Sequence, residues 1–276
     1  MPDLMPRRML FATLAGSLLA ATTLTGCVVV VGGRGHYYPA EFSSRATITE
    51  TRTHSLEHLP GADLDIETRD GSIEVRRSNG SAVEIEARIR TDNESRLEAI
   101  EVSAERASDG TLRVRPVWPD GVRKRWESCA FIVHLPDAGA LRLRTEDGAI
   151  RVFGVGTSID ARTEDGAIEM IDVAGPVDAE TEDGAITLRQ AGPGAPIRLV
   201  TEDGGVRAEL DPGFRGSLDA VTDDGAISAT SLDTVDAGAR FQGYEPRRLR
   251  VQFGEGGPSS TIRTDDGAIT ITVRKD

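Results

Sequence analysis

From Leu141 onward the side chains alternate between two faces. Leu141, Leu143 and Thr145 fall on one face and Arg142 and Arg144 on the other; beyond Glu146-Asp147-Gly148, Ile150 and Val152 resume the pattern. A period of two on both sides of a break predicts strand, corner, strand. The same unit returns with Ile168 and Met170, and again with Ile186 and Leu188. Written out, the cassettes are RTEDGAIRV from Arg144, RTEDGAIEM from Arg162, ETEDGAITL from Glu180, VTEDGGVRA from Val200, VTDDGAISA from Val221 and RTDDGAITI from Arg263, with an earlier ETRDGSIEV from Glu67. From Thr145 the threonines step by 18, 18, 20, 21 and 42 residues. The last step is twice the one before, which leaves room for one degenerate copy.

At each corner stands a glycine: Gly71, Gly148, Gly166, Gly184, Gly204, Gly225 and Gly267. Glycine tolerates positive φ and aspartate bonds its own neighbouring backbone, so Asp-Gly suits a tight bend. An antiparallel meander would use each as a hairpin turn. A parallel solenoid would use each as a corner and stack the copies about 4.8 Å apart. Near-identity at every aligned position is what vertical stacking rewards, and 18 to 21 residues falls in the range of solenoid repeats. The prediction is an all-β, single-stranded parallel β-helix (β-solenoid) with about 18–21 residues per coil, taken as right-handed.

Residues 136–276 carry the regular repeats, and residues 45–135 are less regular. ADLDIETRDGSIEVRR, AVEIEARIR, IEVSAER and TLRVRPVW read as short strands, and NESRLEA as one helical turn. This region is expected to form irregular opening coils and a cap over the first sheet edge, which would otherwise pair with other chains. At the far end, Arg274 and Lys275 place charge where it would discourage such pairing.

Ahead of these elements the patterning changes. A basic start at Arg7 and Arg8, an apolar run from Met9 to Leu24 and the sequence Leu24-Thr25-Gly26-Cys27 read as an export signal over residues 1–26. The four-residue ending resembles the bacterial lipobox, which makes Cys27 the expected lipidation site and residues 27–44 a lipidated tether. Val28, in place of an aspartate, resembles lipoproteins sent to the outer membrane. The expected location is therefore the cell envelope, with the membrane a partner through the N-terminal lipid.

The chain has net charge −13, and removing residues 1–26 would make it one unit more negative. So acidic a surface argues against nucleic acid or anionic headgroups as partners. Few aromatics and 30 glycines point to a narrow core of Ile, Leu, Val and Ala. With Cys27 modified, Cys129 has no partner, and its apolar strand SCAFIVHLP suggests a buried, inert thiol.

Three segments together, HLPGADLDIETRDGSIEV, FIVHLPDAGALRLRTEDGAIRV and LRVQFGEGGPSSTIRTDDGAITITV, resemble a bacterial family of unknown function whose members are labelled "putative adhesins" and carry β-strand repeats. The likeness spans about residues 54–276. It implies a parallel β-helix in an exported, often membrane-attached protein and brings no catalytic residues with it. The paired acids are more uniform here than the family leads one to expect.

Those acids are the candidate chemistry: Glu146 and Asp147, Glu164 and Asp165, Glu182 and Asp183, Glu202 and Asp203, Asp223 and Asp224, and Asp265 and Asp266. Stacked, they would form a ridge in which neighbours repel by roughly 0.9 kcal/mol in water. Calcium takes six to eight oxygens and such rows could supply them, so Ca²⁺ is a candidate ligand; the plainer reading is a turn kept acidic for solubility. A glycosidase needs two carboxylates in unlike environments, which equivalent pairs do not offer. His54-Ser-Leu-Glu-His58 has the spacing of a zinc-protease motif, but that chemistry needs a helix, and this segment is strand-like and closed by Leu59-Pro60-Gly61. The sequence thus predicts a non-catalytic, adhesin-like binding or scaffolding surface for an unknown protein or polysaccharide. A polysaccharide-active lyase or hydrolase on the same scaffold is the alternative, and regulation of envelope stress through a partner is indistinguishable from the first.

Overall fold

The computed structural model describes residues 47–192, 195–232 and 239–275; the export signal, Cys27 and the tether lie outside them. The first part holds β1 (Ile48–Glu57), β2 (Leu64–Glu67), β3 (Ile73–Arg77), β4 (Ala82–Thr91), α1 (Glu94–Ala99), β5 (Glu101–Arg106), β6 (Leu112–Val117) and β7 (Ser128–Leu135). Four strand pairs follow in chain order: β8 (Ala140–Arg144) with β9 (Ile150–Phe153), β10 (Ser158–Arg162) with β11 (Ile168–Val173), β12 (Val177–Thr181) with β13 (Ile186–Gln190), and β14 (Ile197–Thr201) with β15 (Val206–Leu210). Then come β16 (Gly216–Thr222), β17 (Ile227–Thr230), β18 (Ala239–Glu245), β19 (Arg248–Phe253), β20 (Ser259–Thr264) and β21 (Ile269–Val273).

Two sheets result. Sheet A runs β1-β4-β7-β3-β9-β11-β13-β15-β21-β17, and sheet B runs β18-β19-β16-β20-β14-β12-β10-β8-β2-β6-β5. Each cassette starts on sheet B, turns at its Asp-Gly and continues on sheet A, so the pair is one rung of a solenoid-like stack. Within the rungs the pairing is parallel and in phase: Ile66 lies beside Leu143, then Ala161, Ala179 and Leu199, while Ile73 lies beside Ile150, Ile168 and Ile186. These inward columns are fully buried. Burying each such Ile or Leu contributes about 1.5–3 kcal/mol, and the alternation leaves the polar half of every strand in water. The buried aromatics sit at the ends, with Phe131 in β7 and Phe214 edge-on to Phe253 at 5.2 Å between centroids.

Chain order and stacking order part at both ends. The rung β2/β3 lies between β6/β7 and β8/β9. At the other end β20/β21 lies between β14/β15 and β16/β17, parallel to both neighbours. Among the described residues, the doubled step before Arg263 holds no degenerate copy of the rung. Within that stretch β18 and β19 pair antiparallel, and β19 lies antiparallel on β16, closing that side of sheet B. Arg274 is likewise not at a free edge, because β17 covers β21; its Nη2 donates to the Gln190 carbonyl at 2.8 Å and reaches Asp211 at 3.2 Å. The first edge is closed by antiparallel β1 and β4 on sheet A and β5 on sheet B, and NESRLEA forms α1 with Asn93 capping it.

Candidate binding surface

From Gly148 onward each corner is built from three backbone-directed contacts. The threonine that alternation turns inward is buried, and its hydroxyl points at carbonyls of the rung beside it: Thr163 Oγ1 lies 3.0 Å from both Glu146 O and Gly148 O, and Thr181 Oγ1 lies 2.9 Å from Gly166 O. Next, the two acidic residues donate both backbone N–H groups to one carbonyl, as Glu164 and Asp165 do to Glu146 O at 3.1 and 3.0 Å. Last, the glycine rests directly on the glycine of the neighbouring rung. A Cβ on Gly166 would stand 2.1 Å from Gly148 O, and one on Gly184 2.0 Å from Gly166 O. The same contact orders Gly204, Gly267 and Gly225, confirming the interleaved rungs.

The glycines are therefore required for close approach. Of the seven, only Gly71 has φ in the positive range, at 150°, so the turn conformation expected at each corner is not the reason for the residue. The threonine carries no role in the alternation alone, yet its place in every cassette was a usable signal: a polar residue fixed at an inward position must have a buried partner.

The acids project from these corners as a ridge. Glu164, Asp165, Glu182, Asp183, Glu202 and Asp203 are exposed along its middle. Desolvation first, then the charges of Glu202, Glu164, Asp183 and Asp165, raises the Glu182 carboxyl. Positive charge gathers at the ends. Arg69, standing where the other cassettes have an acid, pairs with Glu146. Arg263 lies 3.0 Å from both Asp223 and Asp265, and Arg247 lies 3.0 Å from Asp224. Asp70 is raised by burial and by a hydrogen bond with Asp147, against the pull of Arg123. Among the described residues no group of three or more His, Cys, Asp or Glu is arranged to hold a metal ion.

The outward face of sheet B is different, because its charges alternate across strands. Arg162 reaches Asp160 at 3.0 Å and Glu180 at 2.7 Å, and Arg198 bridges Asp178 and Glu180 at 2.8 Å each. The hydrogen bond from Arg198 holds the Glu180 carboxyl below the ordinary range, with Arg162 adding to it against burial. At the start of these strands an open groove of about 720 Å³ crosses β2, β6, β8, β10, β12, β14 and β20, with Ala140, Ser158, Pro176 and Pro196 among its lining and Arg142 and Arg198 along its wall.

Two other candidates are inert. His54 lies in strand β1, not on a helix, and His58 pairs with Asp137 at 3.1 Å, so the two histidines do not share a metal geometry. Cys129 is buried in β7, and burial pushes its thiol up to about 12. Among the described residues no helix is long and apolar enough to cross a membrane.

Residues 46–272 match the model of a family described as Toastrack DUF4097. No curated protein matches the chain. Solved structures similar to it include a "putative cell adhesion protein" from Clostridium sporogenes, 11% identical over 82% of this chain and 100% of that one, with TM-score 0.47. A "putative adhesin" from Bacteroides fragilis is 13% identical over 83% and 99%, with TM-score 0.40. A "putative lipid binding protein" from Parabacteroides distasonis is 12% identical over 82% and 97%, with TM-score 0.33.

Proposed function

The chain belongs to the Toastrack DUF4097 family, and from that premise we propose that it is an exported, lipid-anchored protein of the cell envelope, a parallel β-helix with about 18–21 residues per coil that serves as a rigid, non-catalytic binding surface. The observation that carries this reading is the groove on sheet B, which crosses one strand after another and so suits an elongated ligand such as an envelope polysaccharide. Its walls are built on strands with paired side chains, which favours a preorganised site over one that must be ordered on binding. Cleavage has less support. Of the carboxylates in the groove wall, Asp65, Asp160 and Asp178 each lie against an arginine, Asp63 and Asp109 each accept from a backbone N–H, and the pair Asp70 and Asp147 sits at the other end of the strands, at the acid corner.

The reading is tested by sedimenting the protein with isolated cell-wall sacculi and with soluble acidic polysaccharides, while assaying reducing ends. Binding without release of reducing ends is expected, weakened on the order of tenfold in Ser158→Trp, which fills the groove from a half-buried lining position at the start of β10. Equal binding by that variant, or no binding to any glycan, removes the groove as the site. Growth of reducing ends makes the protein an enzyme.

A further inference from the structure

The rung β6/β7 has no Thr-x-Asp-Gly corner; a longer loop, Trp118 to Glu127, takes its place. Two partly buried ion pairs fix that loop. Arg123 Nε lies 2.8 Å from Asp70 Oδ2, and Glu127, 1% exposed, is held by Arg96 and by the Lys124 backbone N–H at 2.7 Å. The residues between and just before these anchors are turned outward: Lys124 and Arg125 are exposed, Trp126 is 53% and Val122 51% exposed, and the Arg125 guanidinium lies 5.1 Å from the Trp126 ring centre. An anchored loop that presents a tryptophan, a valine and two cations has the chemistry of a membrane-interface contact, where indole seats among headgroups and Lys and Arg meet anionic lipid.

The position agrees. Ile48, where the chain enters β1, lies opposite Thr91, and Ser128, just after the loop, lies opposite Arg90. Entry point and loop thus share one rim, two strand spacings or about 10 Å apart. The net charge of −13 argues against anionic headgroups for the surface as a whole, but charges beyond a Debye length of about 8 Å are largely screened, and residues 122–126 carry only the basic Arg123, Lys124 and Arg125. We propose that the loop Val122 to Trp126 docks this rim onto the anionic surface of the bilayer, a contact that rests on the lipid-anchored reading and sets the orientation of the groove relative to the membrane.

The full-length processed chain, reconstituted in vesicles with brominated acyl chains, tests this through its two tryptophans, Trp118 and Trp126. Emission is expected to be quenched several-fold more in phosphatidylglycerol-containing vesicles than in phosphatidylcholine alone. Trp126→Phe should remove that excess, and Lys124→Glu with Arg125→Glu should lower it on the order of tenfold. Equal quenching of wild type and Trp126→Phe, or no effect of the charge reversal, overturns the proposal and hands the loop to a protein partner. Flotation with phosphatidylcholine vesicles reads the anchor separately: a chain that stays behind there refutes lipidation, whereas one that floats with Trp126 unquenched refutes only the docking.

Discussion

The two corners that join the sheets obey different rules. Where sheet B passes into sheet A, every rung from β8 to β15 spells Thr, two residues ending in Asp, and Gly; where sheet A returns, the connections differ in length and sequence, as in Gly154 to Thr157, Ala174 to Pro176 and Asp211 to Arg215. At the return corners glycines such as Gly154 and Gly175 have positive φ, 66° and 97°, and Gly175 also packs on backbone, where a Cβ would stand 1.9 Å from the Thr157 carbonyl. At the acid corners, apart from Gly71, φ is not positive, and backbone lies on backbone. A bend alone can be made in many ways. A bend stacked against a copy of itself constrains each residue by the one above and below, so the spelling is held constant there.

The sharpest break of this contrast is Gly184→Ala set against Gly154→Ala. The first puts a methyl 2.0 Å from the Gly166 carbonyl, while at Gly154 the nearest atom stands 3.7 Å away. A loss of about 3 kcal/mol or more is expected for Gly184→Ala and about 1–2 kcal/mol for Gly154→Ala, from left-handed backbone alone, both read by denaturant unfolding. Comparable losses would mean that stacking is not what fixes the glycine.

Removing the hydroxyl partner comes next. Thr181→Val leaves the Gly166 carbonyl without that donor inside the stack, at a cost of about 1–3 kcal/mol, whereas Thr181→Ser keeps the hydroxyl and should stay within a fraction of that. A thermal midpoint equal in the Val and Ser variants would assign the threonine to packing instead.

Smaller effects separate ridge from ladder by pH and salt. The Glu182 carboxyl titrates higher in the folded state, so it binds protons there that the unfolded chain does not; its contribution to stability is present at low pH and lost as pH rises through its folded value. Glu180 is lowered, so its contribution is present above the unfolded value and lost as pH falls through the folded one. At neutral pH and low salt, Glu182→Gln is expected to raise the melting midpoint and Glu180→Gln to lower it, and added salt should shrink the first shift. A fall in midpoint on Glu182→Gln would contradict the repulsion. Smallest of all, calcium should move the midpoint no further than magnesium at equal ionic strength, because the ridge acids stand side by side in solvent. A rise specific to calcium would make the ridge a binding site.

Much of this was legible in the chain. Period-two alternation through Leu141, Leu143 and Thr145 and the return of Ile150 and Val152 gave strand, corner, strand, and near-identity of cassettes favoured parallel stacking over hairpins. The order of the outer rungs was not legible, because Thr264 fits against Glu202 O and Gly204 O with the same chemistry that seats Thr201 on Glu182 O and Gly184 O. Equivalent cassettes carry no label for their neighbour. Local patterning also hid the Trp118 to Glu127 loop, whose outward aim depends on Asp70 and Arg96, both remote in sequence.

Placing Ser259 to Val273 between two rungs written before it limits how such a gene can change. Recombination between like cassettes could add or drop a unit among residues 144 to 210 and leave a working molecule of another length. The same event across residues 216 to 273 would strand β16 and β17 with no filler beside β14 and β15. Heredity is thus free to tune the middle of this protein and is held to a fixed count at its finish.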